Sequence, residues 1–177
     1  MPPTWTSTSA HYVTPRTGQR DAWTEDTAQR GHAGTNRLLE VAETTPPTGV
    51  ADALQVPAGE PVVVRRRLVE LDGRPIELAD SYYPVSIARG TGLAEHRKIR
   101  GGAPTLLAEL GHAPHQVEEE VTARPSTGQE RELLDLEDGE PVLVLERLVR
   151  DADGQPVEVS VMTMAAEGRR LRYELSA

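Results

Sequence analysis

The sequence predicts an α+β domain: an antiparallel sheet with internal pseudo-two-fold symmetry and helices packed on one face. Three observations predict it. Gly59–Val69 matches Gly139–Val149 at eight of eleven positions, where ordinary composition gives about one match by chance. One residue further along the frame, Asp72-Gly73-Arg74-Pro75-Ile76-Glu77 returns as Asp153-Gly154-Gln155-Pro156-Val157-Glu158. Asp-Gly between alternating apolar runs is a hairpin signal, because its first residues must accept positive φ. A short helical segment precedes each copy, with Leu54 matching Leu134. Two units are too few for a solenoid.

The elements follow in order. Met1–Gly34 is rich in Thr, Ser, Pro, Gly and charge and reads as an arm. It holds one short helix over Asp21–Arg30, capped by Asp21, with Ala22, Trp23 and Ala28 available to dock. Arg37–Val41 reads as the first strand, Thr44–Thr48 as an extended Pro-Pro connector and Val50–Leu54 as a helix. Pro61–Leu71 and Pro75–Tyr83 form the first hairpin. Val85–Ala88 and Leu93-Ala94 are helical, and Pro104–Leu110 is a helix with Gly111 as its stop. Gln116–Ala123 is a strand, Gly128–Leu136 a helix, Val142–Asp151 and Pro156–Met164 the second hairpin, and Leu171–Leu175 a last strand. The organisation is an arm over 1–35 and a single domain over 36–177.

Composition narrows the function. The 177 residues suit one domain, and with no Phe the core rests on Val, Leu and Ala. A net charge of −9 without a clustered basic face argues against DNA binding by this chain. No Cys is present, which excludes disulfides, thiolate metal sites and a cysteine nucleophile. No apolar run reaches the length of a membrane span or a signal sequence, so the cytoplasm is the simplest compartment.

Alternation places Arg65, Arg67 and Val69 on one face of the first hairpin, and Leu145, Arg147 and Val149 on the equivalent face of the second. Glu77, Ala79, Ser81 and Tyr83 share one face of the return strand, and Ser160 follows Glu158 in the same way. Hydroxyls and carboxylates from adjacent hairpins would then meet in one cavity suited to a polar ligand. Ordinary hydrogen bonding within the sheet is the other reading.

In Lys98–Thr105, Arg100, Gly101 and Gly102 precede a helix start, where free N–H groups and the helix dipole favour an anion. A plain helix cap or flexible gate is the alternative. In Glu118-Glu119-Glu120, Glu119 faces away from its neighbours and reads as the interior partner of an arginine. His112 and His115 in a Pro-containing loop do not make a metal site, so no metal or other cofactor is expected.

These residues resemble the effector-binding UTRA domain of the HutC group of GntR-type transcription regulators. The likeness rests on Gly59–Leu68, Asp72–Pro84, Leu133–Leu136 and Asp153–Ser160 in that order, and runs from about Asn36 to the C-terminus. It implies a chorismate-lyase-like fold, a pocket for a small-molecule effector (an anionic metabolite such as a sugar phosphate, or an amino-acid derivative) and homodimers. It implies that Arg67 contacts the effector's acidic group, with an ion pair to Glu77 or Glu158 as the alternative. A guanidinium fork suits either use.

Glu158 resembles the family carboxylate that accepts from ligand hydroxyl or amine groups. The family's second arginine, two residues on, is Val69 here, which shifts the expectation from phosphate towards a carboxylate or neutral ligand. Met162–Arg169 replaces an Arg-Gly-Asp-like turn.

A regulator of that group carries a winged helix-turn-helix ahead of this domain. Met1–Thr35 is too short and too poor in apolar residues to form one. The expectation is therefore an effector domain without its own DNA-reading module, as a piece of a regulator or standing alone. A stand-alone domain could also have become a lyase- or cyclase-type enzyme, with Glu77 and Glu158 as an acid–base pair. No nucleophile signature supports that alternative, and fold kinship does not transfer activity. No catalytic residue is assigned.

Overall fold

The computed structural model describes residues 4–18 and 20–174. The chain runs β1 (Trp5–Ser7), α1 (Ala10–Val13), α2 (Ala22–Gln29), β2 (Gly34–Thr44), α3 (Thr48–Leu54), β3 (Val62–Leu71) and β4 (Arg74–Pro84). It continues through α4 (Val85–Ala88), a 3₁₀ turn at Gly92–Ala94, α5 (Ala103–Glu109), β5 (Gln116–Pro125), α6 (Gly128–Leu134), β6 (Pro141–Arg150), β7 (Pro156–Ala165) and β8 (Arg169–Leu171). Six strands form one antiparallel sheet in the order β2-β3-β4-β7-β6-β5, and β1 pairs in parallel with β8.

The pseudo-two-fold axis can be located to a residue pair. Asp80 and Val161 hold the same place in the two copies, counted from their Asp-Gly turns, and they pair with each other across β4 and β7. The duplication also reaches further back than the hairpins. Gly31-His32-Ala33 after α2 repeats as Gly111-His112-Ala113 after α5. Both glycines take positive φ, +78° and +88°, a conformation that other side chains rarely adopt. Each histidine then reaches an aspartate at its own unit's hairpin, His32 Nδ1 to Asp72 Oδ2 at 2.7 Å and His112 Nδ1 to Asp151 Oδ2 at 2.9 Å. The repeated unit is helix–strand–helix–hairpin.

Helices cover both faces of the sheet, a correction to the one-face expectation. Val50 and Leu54 of α3 pack on Val62, Val64, Tyr82 and Val159, and Leu134 of α6 packs on Leu68, Val142 and Val144. On the opposite face Ile87, Ala88, Leu93 and Leu107 pack on Val63, Tyr83 and Val149, while Trp5 and Trp23 pack on Val69, Leu71 and Ala79. Both faces alternate apolar residues at their buried positions, so neither can be left to water. The insert between β4 and β5 and the N-terminal arm supply the second cover.

Several boundaries move. The strand expected over Arg37–Val41 is β2, which begins at Gly34 and spans 11 residues and is preceded by the short β1. The helix α6 stops at Leu134 because Asp135 turns left-handed at φ +55°. The last strand is Arg169–Leu171, and Leu175 of the expected Leu171–Leu175 lies outside the described residues.

Within the arm, the Asp21 carboxylate accepts from the Thr24 N–H and starts α2. Trp23 Nε1 donates to Glu70 O at 3.1 Å, and the Arg30 guanidinium lies 4.4 Å over the Trp5 ring. This docking requires glycine at position 34. A Cβ there would lie 2.3 Å from Thr27 Oγ1 and 2.7 Å from Trp23 Nε1. Gly34→Ala is therefore expected to cost about 1–3 kcal/mol by overpacking and to red-shift tryptophan emission as Trp23 leaves its site. Urea denaturation followed by fluorescence measures both; unchanged stability and emission would refute it.

Candidate functional site

A cavity of about 130 Å³ lies on the Trp23 face of the sheet. Its floor is β3, β4, β7 and β6. Its roof is the arm from Ser7 to Arg16, the start of α2, and Gly101–Pro104. Strand alternation aims Arg67, Ser81, Tyr83, Glu158 and Ser160 inward together, as their spacing predicts.

Of the residues singled out from sequence, Arg67, Glu77, Ser81, Tyr83, Gly101, Gly102, Arg147, Glu158 and Ser160 all line this cavity. Arg100 does not: it is exposed and outside the lining. Gly101, at φ +69°, turns the backbone inward against the arm, and Arg100 is left at the outer rim.

One hydrogen-bonded ladder crosses the floor. Arg67 Nη2 donates to Ser81 Oγ at 2.7 Å, Ser81 Oγ lies 2.8 Å from Ser160 Oγ, and Ser160 Oγ donates to Glu158 Oε1 at 2.9 Å. Tyr83 donates its hydroxyl to Glu158 Oε2 at 2.6 Å. A carboxylate only accepts and a guanidinium only donates, so the Ser81 proton must point to Ser160. The ladder is thus polarised from a cation at one end to an anion at the other, and each bond strengthens its neighbours. Burial, reinforced by the Glu158 charge, pushes the Tyr83 phenol well above its ordinary pKa, so it stays a donor.

The two pseudo-equivalent arginines have different neighbours. Arg147 registers on Glu119 of β5, and its Nε donates to Glu119 Oε1 at 2.6 Å. Burial alone would raise the Glu119 carboxyl, yet Arg147, Ser9 and Tyr173 together hold it below its ordinary value. Arg67 registers instead on Leu38 of β2. Among the described residues it has no carboxylate within 4 Å, and its buried Nε has no partner. The ion pair to Glu77 or Glu158 is therefore absent. Glu77 pairs with Arg169 at 3.3 Å.

Nor do Glu77 and Glu158 face each other as a pair in register: Glu77 registers on Met164 and Glu158 on Val149. Arg65, on the same strand face as Arg67, is turned away to structural use. It donates to the carbonyls of Gly92, Leu93, Glu95 and Arg97 at 2.7–3.2 Å and pins that loop.

The UTRA domain family model matches residues 29–168 of the chain. The chain belongs to the UTRA domain family. Two relatives agree with it, both uncharacterised HTH-type transcriptional regulators. The one from Rhizobium meliloti is 33% identical over 138 residues, 77% of this chain and 56% of the relative. The one from Streptomyces coelicolor is 31% identical over 135 residues, 75% of this chain and 50% of the relative. The chain spans about half the length of these curated relatives.

Among solved structures, the effector domain of PhnF from Mycobacterium smegmatis matches with a TM-score of 0.75 at 21% identity, covering 93% of this chain and 99% of that one. The ligand-binding domain of a protein assigned to the GntR family of transcriptional regulators, from Bordetella bronchiseptica, matches with a TM-score of 0.72 at 26% identity, covering 81% and 91%. This UTRA domain thus has the α+β fold of GntR effector domains. Among the described residues no helix is long and apolar enough to cross a membrane, and no cluster of three metal-ligating side chains occurs.

Sequence reasoning reached Gly101 and Gly102 of the roof of the UTRA cavity and missed the arm's share of the roof and one wall. Tyr12, Arg16, Trp23 and Asn36 line it, as do Arg169 and the thioethers of Met162 and Met164. The aromatic residues of the arm were the one available signal, because a polar segment seldom carries Trp and Tyr unless it docks.

Proposed function

We propose that this UTRA domain is the ligand-sensing part of a HutC-type regulator. Its cavity would take a small molecule bearing an acidic group and a hydrogen-bond donor, in the manner of an amino acid or hydroxy acid. The observation that carries this is Arg67. It is the one cavity arginine without a carboxylate partner among the described residues, and it has a buried donor unmet. A buried donor left unmet costs about 1–3 kcal/mol, which an incoming oxyanion recovers.

The complement is present too. Glu158 has no cation within 4 Å among the described residues, and Asn36 Oδ1 is buried without a partner. Both accept, so both suit a ligand amine or hydroxyl. The cavity is close in size to one that holds benzene, so the ligand has about six to ten non-hydrogen atoms. Gly101 and Gly102 close over it from the α5 side, with 36–177 as the effector-binding unit and 1–35 as its arm.

The effector would act by favouring one arrangement of a homodimer in the cytoplasm, and so shift the regulator between its states. The enzyme alternative gains no supporting observation, since Glu77 is engaged by Arg169 and Glu158 is held by Tyr83 and Ser160.

Calorimetric titration with L-serine, L-lactate and acetate tests the proposal. Saturable heat is expected from serine or lactate and not from acetate, which lacks the donor. No saturable heat from any of the three overturns it.

A further inference from the structure

The cavity is lined by a second arginine with an unmet donor, Arg16, on the roof above the Arg67 floor. Arg16 lies between α1 and α2, and its side chain is 20% exposed. Its outer end, Nη1, meets Glu25, whose side chain is 45% exposed at the rim. Its Nε is buried with no partner among the described residues, and Arg16 lines the cavity. The backbone holds it there: the Arg16 N–H donates to Thr105 Oγ1 at 2.9 Å, and Thr105 donates to Gly101 O at 2.9 Å. The arm and the first turn of α5 are thus tied at the point where the guanidinium enters.

Two arginines thus present buried unmet donors from the roof and the floor of one small cavity, and the only carboxylate beside either among the described residues is Glu25, at the rim. One anion at Arg67 answers only the floor. Resting on the ligand reading above, we propose that the effector is dianionic. Arg67 takes one acidic group and Arg16, supplied by the arm, takes the second, so the bound molecule bridges sheet and arm. A dicarboxylate with one hydroxyl or amine satisfies Arg67, Arg16 and the acceptors Glu158 and Asn36 together. It also fits the size limit, at about nine non-hydrogen atoms. A charge-assisted hydrogen bond to the second group is worth about tenfold or more in affinity.

The experiment uses the full chain and matched probes: L-aspartate against L-serine, and L-malate against L-lactate, by calorimetry. In the wild type the dicarboxylates are expected to bind at least tenfold tighter than their monocarboxylate counterparts. Arg16→Gln is expected to erase that difference and leave the monocarboxylates unchanged. Arg67→Gln is expected to weaken all four.

Glu25→Gln separates a ligand contact from a merely structural role, because it removes the rim ion pair and keeps the guanidinium. It should bind as the wild type does. Both tryptophans belong to the arm, and Trp23 lines the cavity, so dicarboxylates alone should shift the emission. Equal binding of mono- and dicarboxylates by the wild type overturns the bridge and leaves the ligand reading standing. Equal losses for all probes in both Arg16→Gln and Glu25→Gln also overturn it. No binding of any probe overturns both.

Discussion

Arg67→Met is expected to cost at least 100-fold in effector affinity while leaving the fold as stable as before, or up to about 2 kcal/mol more stable. The two halves have one cause. On the cavity floor Arg67 spends one donor on Ser81 and has a buried Nε unmet, with no carboxylate beside it among the described residues. Arg67 is only partly buried, and its stranded donor costs about 1–3 kcal/mol that nothing in the protein returns. Met fills comparable volume with no polar atom, and Ser81 keeps its contact with Ser160.

Binding suffers because one or two charge-assisted bonds to the ligand are lost, at about 1.5–3 kcal/mol each, and 100-fold is about 2.7 kcal/mol. Loss of function with gain of stability is the usual signature of a residue kept for its ligand. Calorimetry and urea denaturation on the same preparation read both quantities. A stability loss above about 1 kcal/mol would make Arg67 a structural residue, and retained affinity would move the anion site elsewhere.

The floor of this site was legible in the sequence, with Gly101 and Gly102 of its roof, and the arm's share of the roof was not. Strand alternation has a rigid period of two, so once the duplicated hairpin was recognised, Arg67, Ser81, Tyr83, Glu158 and Ser160 had to point the same way. Arg65 obeys the same alternation yet serves the 92–97 loop, because its neighbours are set by an insert whose path no local pattern encodes. Arg100 shows the same limit at a loop, where one residue's turn separates rim from lining.

The arm reads as polar in sequence, with room for one helix. Its docking rests on pairings more than one hundred and sixty residues apart in sequence, such as Trp5 with Arg169 in β1 and β8. Such contacts leave no periodic trace. The tripeptide Gly-His-Ala that marks the full extent of the duplication is visible in the sequence. At three residues it gains meaning only when both histidines are seen to reach their hairpin aspartates.

Breaking the Arg147–Glu119 pair from one side is expected to be the most destabilising polar change in the domain. Both side chains are 8% exposed. Glu119→Leu strands a buried guanidinium and should cost about 3–5 kcal/mol. It also removes the acceptor for Ser9 Oγ at 2.8 Å, so the arm loosens with it.

The pH dependence follows from the sign of the shift. The folded-state pKa of Glu119 is below its unfolded value. Its contribution is therefore fully present above the unfolded pKa, about 4.3 for a glutamate, and is lost as pH falls through the folded value. The wild type should thus lose stability on the acid side of that point, and Glu119→Gln should show a flatter acid limb.

The double variant Glu119→Leu/Arg147→Leu decides what the pair is for. Replacing both partners by apolar residues is often neutral or stabilising, and the first copy already places an apolar Leu38 against Arg67. Recovery of most of the loss in the double variant would show that the pair was never needed for stability. Glu119 would then serve to neutralise Arg147 and to leave Arg67 as the free fork on the cavity floor. A double variant as unstable as the single would instead make the pair a structural requirement, and the difference between the two arginines would lose its functional meaning.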